Sequence, residues 1–574
     1  MKEKNPYILK LISRMNLDQK VGAMLTLGFS GIVPKHNIFD YINKFQCGGL
    51  RLSPEFRIFG NYIDPNSGKT VVNLGNITGI KYGDFPPSAT ASEYKSVLDS
   101  LQTMARKRPL SIPLHFSFDQ EGGSSSDFCF GGVNIFTKPM GIRATDDSKM
   151  AYEVALAVSK QSKAVGFNWI HSPVLDINSD SRNPEIYTRA YSDRVEEVVE
   201  YSTESCKGFK DEKMIATGKH FPGRGHSNVD AHFKVPVIDV DKITMLEREL
   251  LPYKELIKQD LLPSIMLAHS IFPAIDADNI ATVSEKVIKG LLREELGFEG
   301  VITTDSMTMG GIATRYGVAN ACALALEAGA DLILMKAENH LVEETFNTIK
   351  QFVMESRISQ QDLDAKVYRI LNLKYEYGLF HQSNDDIVKA EDILNDPSIR
   401  SLSKQVARRS VLIARDRKNW MPIGTNDKVL IIEQKIKHYN NASWHSGLLY
   451  ENCLRYSRNI SYLETAYSYD KEDELNIKSC INNFDVVVIT NYFLRGNRAN
   501  KEYIESIIKE CSQKVIVITN TPYEEISVPV NADSVLVTFA TSPDNIEVSA
   551  GVLFGEIAPE GIWPINYKLP DVYN

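Results

Sequence analysis

The segment 219–232 concentrates side chains that can move protons or hold a polar ligand. Its titratable groups include Lys219, His220, Asp230 and His232. A single alanine separates Asp230 from His232, so a loop can bring the carboxylate against the imidazole. A carboxylate on one ring nitrogen sets the tautomer, raises basicity and leaves the other nitrogen to transfer protons. The spacing therefore allows Asp230 and His232 to form a carboxylate–imidazole pair that moves protons.

A metal site in the same segment is the alternative interpretation. Histidine and aspartate are suitable metal ligands. However, the spacings match no zinc motif such as HExxH, and the ammonium group of Lys219 would repel a cation. We therefore expect no metal at this segment.

Two further carboxylate groups follow apolar runs that predict strands. Asp305 ends the run Val301-Ile-Thr-Thr, which makes it a candidate nucleophile or base, although an aspartate at a strand end is about as often a structural cap. Asp119 opens the sequence Asp-Gln-Glu-Gly-Gly. Its carboxylates and glycines allow the close approach of a polar ligand, and an ordinary turn is the equal alternative.

The elements that must position these groups are predicted by alternation of short apolar runs with amphipathic stretches over the first 380 residues. Such alternation is typical of parallel βα units, and about eight units predict a (β/α)₈ barrel. The predicted strands are Val21–Phe29, Gly48–Leu52, Leu114–Phe118, Phe167–His171, Met214–Gly218, Ser264–Ala268, Gly300–Thr304 and Ala330–Met335. The predicted helices between them include Asp147–Val165, Val195–Lys210 and Thr244–Gln259.

Polar residues gather where these strands end. They are Arg51, Asp119, Asp176, Lys219, His220, His269 and Asp305. The carboxyl ends of the strands form the face of such a barrel that carries the chemistry. Charged residues also occur at strand ends simply because loops begin there. Polar residues at the ends of six strands together nevertheless favour a functional site.

The residues after the second predicted strand, 53–95, form a long stretch rich in Gly, Pro, Asn and Ser. A loop of this length is usually functional or disordered. Because it follows a strand on the same face, we expect it to contact substrate. It contains Ser67-Gly-Lys-Thr, but Ile63 replaces the leading glycine of a phosphate loop, which argues against nucleotide binding.

A helix near Gln361–Tyr377 is predicted to close the barrel domain, residues 1–380. We expect residues 381–399 to be a linker. After it the pattern of strands and helices restarts, which predicts a smaller open α/β domain over 400–574. Its predicted strands are Ser410–Ala414, Val429–Glu433, Val486–Thr490, Val515–Thr519 and Val535–Ala540, with a helix at Asn500–Ser512.

Composition narrows the class of protein. The chain has 574 residues, 43% of them hydrophobic and 24% charged, a net charge of −9 and a pI of about 5.8. These values predict a soluble globular protein and argue against nucleic acid or an anionic membrane as partner. No run reaches the roughly 18 apolar residues of a membrane span. The seven cysteines are scattered and the N-terminus lacks an apolar signal region, so we expect a cytoplasmic protein.

Several motifs occur in order along the chain. They are Phe118-Asp-Gln-Glu-Gly-Gly123, Ser172-Pro-Val-Leu-Asp-Ile-Asn178, Arg182-Asn-Pro with Thr188-Arg189, Lys219-His-Phe-Pro-Gly223, Ala268-His269, the segment 291–305 and the segment 551–561. Together they resemble glycoside hydrolase family 3 in its β-N-acetylglucosaminidase branch, over the whole chain. The resemblance implies a two-domain enzyme that acts on saccharides without a cofactor, as a monomer or a homodimer.

The resemblance also implies a role for each matching residue. Asp305 aligns with the nucleophile that forms a glycosyl-enzyme intermediate, and the Asp230–His232 pair aligns with the acid/base dyad of this branch. The residues that align with the sugar-binding set are Asp119, Arg189, Lys219, His220 and His269.

The sequence departs from the family pattern at three places. Ser124-Ser-Ser-Asp127 replaces an arginine-containing stretch, Arg224 stands where a histidine is common, and the insertion at 53–95 is larger than expected. These departures affect the expected substrate more than the expected reaction.

We therefore expect a retaining exo-β-N-acetylglucosaminidase that acts on saccharides derived from cell walls or chitin. The alternatives are a family 3 enzyme of other specificity, such as a β-glucosidase or β-xylosidase, and a β-N-acetylglucosaminide phosphorylase. A non-catalytic sugar-binding protein is a further alternative, against which the set of Asp305, Asp230 and His232 argues.

Overall fold

The structure is a computed structural model of the chain. It describes residues 4–54, 61–63, 70–72, 90–129, 132–336, 340–381, 389–437, 444–445, 447–495 and 500–569. Most of the predicted substrate loop, 53–95, therefore lies outside the described residues. Within that loop, Asn61–Ile63 pairs antiparallel with Thr70–Val72.

A closed barrel of parallel strands forms the first part of the chain, which confirms the predicted (β/α)₈ architecture. Each strand pairs with its neighbours in sequence, and the first strand closes the barrel against the eighth. The strands are β1 (Leu25–Ser30), β2 (Gly49–Ser53), β3 (His115–Phe118), β4 (Trp169–Ile170), β5 (Ile215–Phe221), β6 (Ser264–Leu267), β7 (Val301–Ser306) and β8 (Leu332–Met335).

Buried side chains fill the inside of the barrel, and some of them are hydrogen-bonded to one another. Trp169 Nε1 donates to Thr217 Oγ1 at 2.8 Å, and Thr26 Oγ1 lies 2.7 Å from His115 Nε2. Gly49 makes room for this arrangement, because a Cβ atom at its position would lie 2.2 Å from the His115 ring. The barrel is thus a packed core, and only its ends are available for a ligand.

Helices surround the barrel in the order expected of βα units. The α-helices up to the end of the barrel are Pro6–Ile12, Leu17–Ala23, His36–Asn43, Ala91–Arg106, Pro139–Arg143, Lys149–Val165, Val195–Asp211, Lys242–Thr244, Leu251–Lys258, Gly310–Tyr316, Val318–Ala328, Leu341–Met354 and Gln360–Glu376. Short 3₁₀ turns lie at Tyr187–Arg189 and Ala281–Val283, and wider π-helical turns lie at Met245–Glu249 and Lys286–Glu295.

The first predicted strand, Val21–Phe29, is wrong at its start. Residues Leu17–Ala23 form a helix that begins at a capping box of Asn16 and Gln19, and β1 begins only at Leu25. Residues 21–23 at the end of the helix and residues 25–29 of the strand are all buried, so hydrophobicity alone does not separate the end of the helix from the strand. The helix predicted at Thr244–Gln259 is also interrupted, since Pro252 lies at the start of a separate helix, Leu251–Lys258.

A second sheet of six strands follows the barrel, as the sequence predicted for a smaller α/β domain. Its order is β9-β14-β13-β12-β10-β11, and only the pair β9–β14 is antiparallel. The strands are β9 (Leu412–Asp416), β10 (Val429–Gln434), β11 (Ile460–Thr465), β12 (Val486–Thr490), β13 (Lys514–Thr519) and β14 (Ser534–Val537). The edge strand β11 was not predicted, because its mixed polar and apolar residues are mostly half-buried or exposed.

The helices around this sheet are Leu448–Cys453, Lys471–Cys480, Lys501–Glu510 and Pro543–Leu553, with a 3₁₀ turn at Ile481–Asn483 and a short hairpin of Ile436–Lys437 with Trp444–His445. The segment 381–399, predicted to be a linker, includes the helix Ala390–Leu394 and the start of the helix Pro397–Ser410. Residues 382–388 lie outside the described residues.

The second sheet meets the barrel near the carboxyl ends of its strands. Asn178 Nδ2 donates to the hydroxyl of Tyr523 at 2.8 Å, Ser192 Oγ donates to the Pro564 carbonyl at 2.7 Å, and Arg409 pairs with Asp147 at 3.0 Å. Within the described part of the chain, none of the helices combines the length and apolar character that crossing a membrane requires.

Candidate active site

The barrel brings most of the residues predicted from strand ends to one mouth. Asp119 follows β3, Lys219 and His220 lie in β5, and Asp305 lies in β7. The four side chains are separated widely in sequence and meet because parallel strands end on one face of the barrel.

Asp119 lies at the centre of a cluster of cations. Its carboxylate contacts Arg51 at 2.5 Å, Lys219 at 3.0 Å and Lys336 at 3.3 Å. Burial opposes ionisation, but Arg51, Lys219 and Lys336 outweigh it and hold the pKa of Asp119 well below its usual range. About a fifth of the Asp119 side chain (22%) stays exposed, so an ionised acceptor faces the mouth of the barrel.

A second buried pair supports this cluster. Glu121 accepts from Arg189 Nε at 2.7 Å and from Arg189 Nη2 at 2.9 Å, and Lys219 Nζ lies 2.6 Å from the same carboxylate. Burial acts to raise the pKa of Glu121. Arg189 and Lys219 together outweigh this effect and lower the pKa to about 2. The side chains of Arg189 and Lys219 are almost fully buried. Lys219 contacts the carboxylates of both Asp119 and Glu121 and so joins the two groups.

His220 is held by Asp176. Its Nδ1 lies 2.6 Å from Asp176 Oδ2, and both side chains are buried. Burial raises the pKa of Asp176 to about 6, against the opposing effect of Arg224. Burial also holds the pKa of His220 well below its usual value. The neutral ring therefore presents its Nε2 side in a defined orientation.

Asp305 has the environment of an ionised nucleophile. Its Oδ1 accepts from the backbone N–H of Ser306 at 2.7 Å, and its Oδ2 lies 3.5 Å from Arg224 Nη1. Burial works against the charge, but Arg224, His269 and Lys336 outweigh it and lower the pKa of Asp305 far below the usual value for aspartate. Its side chain is 11% exposed, so a ligand at the mouth can reach the carboxylate.

His269 lies behind the nucleophile. It has no exposed surface, its Nδ1 lies 2.7 Å from Thr282 Oγ1, and its Nε2 lies 3.1 Å from the carbonyl of Ser306. Both ring nitrogens are thus engaged by the protein. In this arrangement the ring supports the backbone beside Asp305, and the sugar contact of His269 stays a prediction.

The predicted dyad forms on the loop that follows β5. Asp230 Oδ1 lies 2.8 Å from His232 Nδ1 and also accepts from the backbone N–H of His232 at 2.8 Å. With Nδ1 directed to the carboxylate, Nε2 is the nitrogen that is left for proton transfer. The His232 side chain is 23% exposed, and its charge acts on the pKa of Asp305.

Two neighbours of the dyad were not predicted as site residues. Glu185 Oε1 lies 3.3 Å from His232 Nδ1 and 2.7 Å from Arg224 Nη2. Burial opposes the charge of Glu185, but Arg224 and His232 hold its pKa well below the usual range. Two features of the sequence could have identified these neighbours. Glu185 lies between the matched residues Pro184 and Thr188, and Arg224 replaces a histidine that is common in the family.

The second domain also reaches this site. Arg495 Nη1 lies 3.8 Å from Glu185 Oε1, and its side chain is 37% exposed. Arg495 follows β12 in the second domain. It reaches Glu185 because the two domains pack together, and no local sequence pattern indicates this contact.

Three possible metal ligands converge at the dyad. One atom each of Glu185, Asp230 and His232 lies within 4.8 Å of the others. Glu185, however, is already paired with the guanidinium groups of Arg224 and Arg495. These positive charges favour an ion-paired carboxylate over a cation ligand.

The barrel is similar in sequence to known proteins. The family model described as the N-terminal domain of glycosyl hydrolase family 3 matches residues 17–373. A protein named beta-hexosaminidase A from Pseudoalteromonas piscicida is 29% identical over 355 residues, which cover 58% of this chain and 59% of that protein. A beta-N-acetylglucosaminidase/beta-glucosidase from Cellulomonas fimi is 27% identical, with the same coverage of 58% and 59%. The chain thus spans about three fifths of the length of these two relatives.

A solved structure is similar over almost the whole chain. The glycoside hydrolase family 3 beta-N-acetylglucosaminidase from Paenibacillus sp. str. FPU-7 superposes with a TM-score of 0.84 at 25% identity, over 97% of this chain and 100% of that one. The similarity therefore includes the second sheet as well as the barrel.

Proposed function

The chain belongs to glycosyl hydrolase family 3, and from this premise we propose that it is a retaining exo-β-N-acetylglucosaminidase. One observation carries the proposal: an ionised carboxylate, Asp305, and a carboxylate–imidazole pair, Asp230 and His232, share the mouth of the barrel. A nucleophile and a proton-transfer group are the two parts that a retaining glycosidase requires.

In the proposed first step Asp305 attacks the anomeric carbon of the terminal sugar. The bond to the leaving oxygen breaks, and His232 Nε2 gives its proton to that oxygen. The positive ring is stabilised by Asp230 on Nδ1, as the carboxylate stabilises the imidazolium in a Ser-His-Asp arrangement. The products of this step are a glycosyl ester on Asp305 and the free aglycone.

In the second step the neutral imidazole of His232 takes a proton from water. The oxygen attacks the anomeric carbon, the ester bond to Asp305 breaks, and the sugar leaves with its original β configuration. A histidine suits both steps because imidazole gives and accepts protons near neutral pH.

Asp119 and His220 are proposed to hold the hydroxyl groups of the terminal sugar. The carboxylate of Asp119 is ionised and partly exposed, so it can accept from hydroxyl groups at the mouth. Lys219 and Arg189 contribute mainly by fixing Asp119 and Glu121. The reaction as proposed needs no cofactor.

The names of the relatives support N-acetylglucosamine as the terminal sugar. We propose saccharides derived from cell walls or chitin as the substrates. We also propose action in the cytoplasm, which is supported by the buried thiols of Cys47, Cys206, Cys322 and Cys453.

A screen of aryl β-glycosides tests the proposal. We expect turnover of the β-N-acetylglucosaminide to exceed that of the glucoside and the xyloside. Product analysis with and without inorganic phosphate separates hydrolysis from phosphorolysis, because only phosphorolysis yields a sugar phosphate. A preference for glucoside or xyloside, or a sugar 1-phosphate as product, would replace the proposed activity with that of another family 3 enzyme.

A further inference from the structure

We propose that Glu185 is a positioning residue that anchors the loop of the acid/base dyad to the barrel and gives the imidazole of His232 a second carboxylate neighbour. The inference rests on the proposed function and adds a residue to the same site. Glu185 touches the loop at two consecutive residues. Its Oε1 lies 3.3 Å from His232 Nδ1, and its Oε2 accepts from the backbone N–H of Ala231 at 3.2 Å.

The position of Glu185 is set by the barrel side of the site. The side chain of Asn183 accepts from the backbone N–H of Glu185 at 3.0 Å and donates to the carbonyls of Arg224 and Gly225 at 3.1 and 3.0 Å. Arg224 Nη2 then pairs with Glu185 Oε1 at 2.7 Å. Glu185 and Arg224 each have only 2% of their side chains exposed, so this framework is shielded from water.

Asp230 cannot perform the same task. It lies two residues before His232 and bonds to the backbone of its own loop, so it moves with the imidazole. Asp230 can therefore orient the ring within the loop but cannot fix the loop relative to Asp305. Glu185 belongs to a different segment, and Arg224 connects it to the nucleophile, since Nη1 of the same guanidinium lies 3.5 Å from Asp305 Oδ2.

The charges around His232 come from several segments. Asp230 and Glu185 lie against Nδ1, while Asp305 and His269 act on the ring at longer range. Arg224 and Arg495 face Glu185 from the other side. A second carboxylate near Nδ1 stabilises the imidazolium, which is the form that donates the proton. Loss of this charge should therefore weaken proton donation to the leaving oxygen.

The test compares Glu185→Gln with the wild-type chain and with Glu249→Gln. Glu249 is a matched control because it is also a buried carboxylate, paired with Arg248 at 2.6 Å. Burial raises the pKa of Glu249 to about 7, so glutamine resembles its neutral form. Steady-state kinetics are measured on an aryl β-N-acetylglucosaminide with an activated leaving group and on N,N′-diacetylchitobiose, whose sugar leaving group needs protonation.

For Glu185→Gln we expect kcat/KM on the disaccharide to fall roughly 10- to 100-fold and the activated substrate to lose less than about threefold. The fall should appear in kcat rather than in KM. Glu185→Asp, which keeps the charge, should recover most of the activity on the disaccharide. Equal losses on the two substrates, or behaviour like that of Glu249→Gln, would overturn the proposal.

Hydrogen exchange distinguishes failure of this inference from failure of the proposed function. If the wild-type chain turns over neither substrate, the proposed function fails, but the anchor remains testable. In Glu185→Ala the amides of 230–234 should then exchange at least about fivefold faster than in the wild-type chain and in Glu249→Gln. Equal exchange rates in the three proteins would show that Glu185 does not anchor the loop.

Discussion

Arg224 controls the charge of the proposed nucleophile, and its replacement gives a quantitative test. At 3.5 Å from Asp305, its guanidinium is the largest of the influences that oppose the effect of burial on the pKa of this carboxylate. An ion pair at that distance is worth roughly 4–5 kcal/mol at an effective dielectric constant of about 20, which corresponds to roughly 3 pKa units.

Arg224→Met removes the charge and keeps a side chain of similar length. Lys336 and His269 continue to stabilise the Asp305 carboxylate, so we expect its pKa to rise towards the ordinary range of an aspartate. A protonated carboxyl group cannot attack, and the acid limb of kcat/KM should therefore move to higher pH than in the wild-type chain. Arg224→Lys keeps a positive charge and should stay closer to the wild-type profile.

The assay is kcat/KM on an aryl β-N-acetylglucosaminide from about pH 4 to about pH 9, since this parameter reports groups of the free enzyme. Thermal unfolding at each pH excludes loss of the fold, which is a necessary control because the variant leaves Glu185 without its nearest cation. An acid limb that is identical in Arg224→Met, Arg224→Lys and the wild-type chain would refute the assignment of Arg224 to the charge of Asp305.

Three further predictions follow from the site. Asp305→Ala should lower turnover of the aryl substrate by at least roughly 10⁴-fold, and near-normal activity would contradict the nucleophile assignment. His232→Ala should slow substrates with poor leaving groups by roughly 10²- to 10⁴-fold and activated ones far less, whereas equal losses would count against proton donation. Burial raises the pKa of Glu249 to about 7. The stability that the protonated Glu249 carboxyl group contributes is therefore complete below the pKa that this group has in the unfolded chain, and it is lost as the pH rises through 7. Between about pH 5 and about pH 8 the free energy of unfolding should therefore fall by roughly 3 kcal/mol more in the wild-type chain than in Glu249→Gln, and denaturant titrations with parallel curves for the two proteins would contradict this.

The barrel could be predicted from the sequence because the patterns that indicate its strands and helices are local. Apolar runs such as Gly300–Thr304 and Met214–Gly218 correspond to β7 and β5 within a few residues, and the predicted helix Val195–Lys210 agrees with the observed Val195–Asp211. The errors occurred where local hydrophobicity is ambiguous. At Val21–Phe29 one apolar run contains both the end of a helix and a buried strand.

Candidate site residues could be selected where they lie at a predicted strand end. Asp119 and Asp305 were selected in this way, while their proposed roles came from the family resemblance, and the Asp230–His232 contact is compatible with a spacing of two residues. His269 shows the limit of this reasoning, because it also ends a strand but is directed at Thr282 and the backbone of Ser306. Which way a strand-end side chain points depends on neighbours that are remote in sequence.

Local periodicity was thus sufficient to predict the barrel and the second α/β domain, and motifs that resemble a known family selected the proposed catalytic groups. The electrostatic framework that joins those groups required the fold. Glu185, Arg224 and Arg495 belong to three separate segments, and their ion pairs exist because the loops of the barrel and of the second domain converge on one mouth. The charge of a buried carboxylate such as Asp305 is set by distances to such groups, and no local pattern encodes a distance between remote residues.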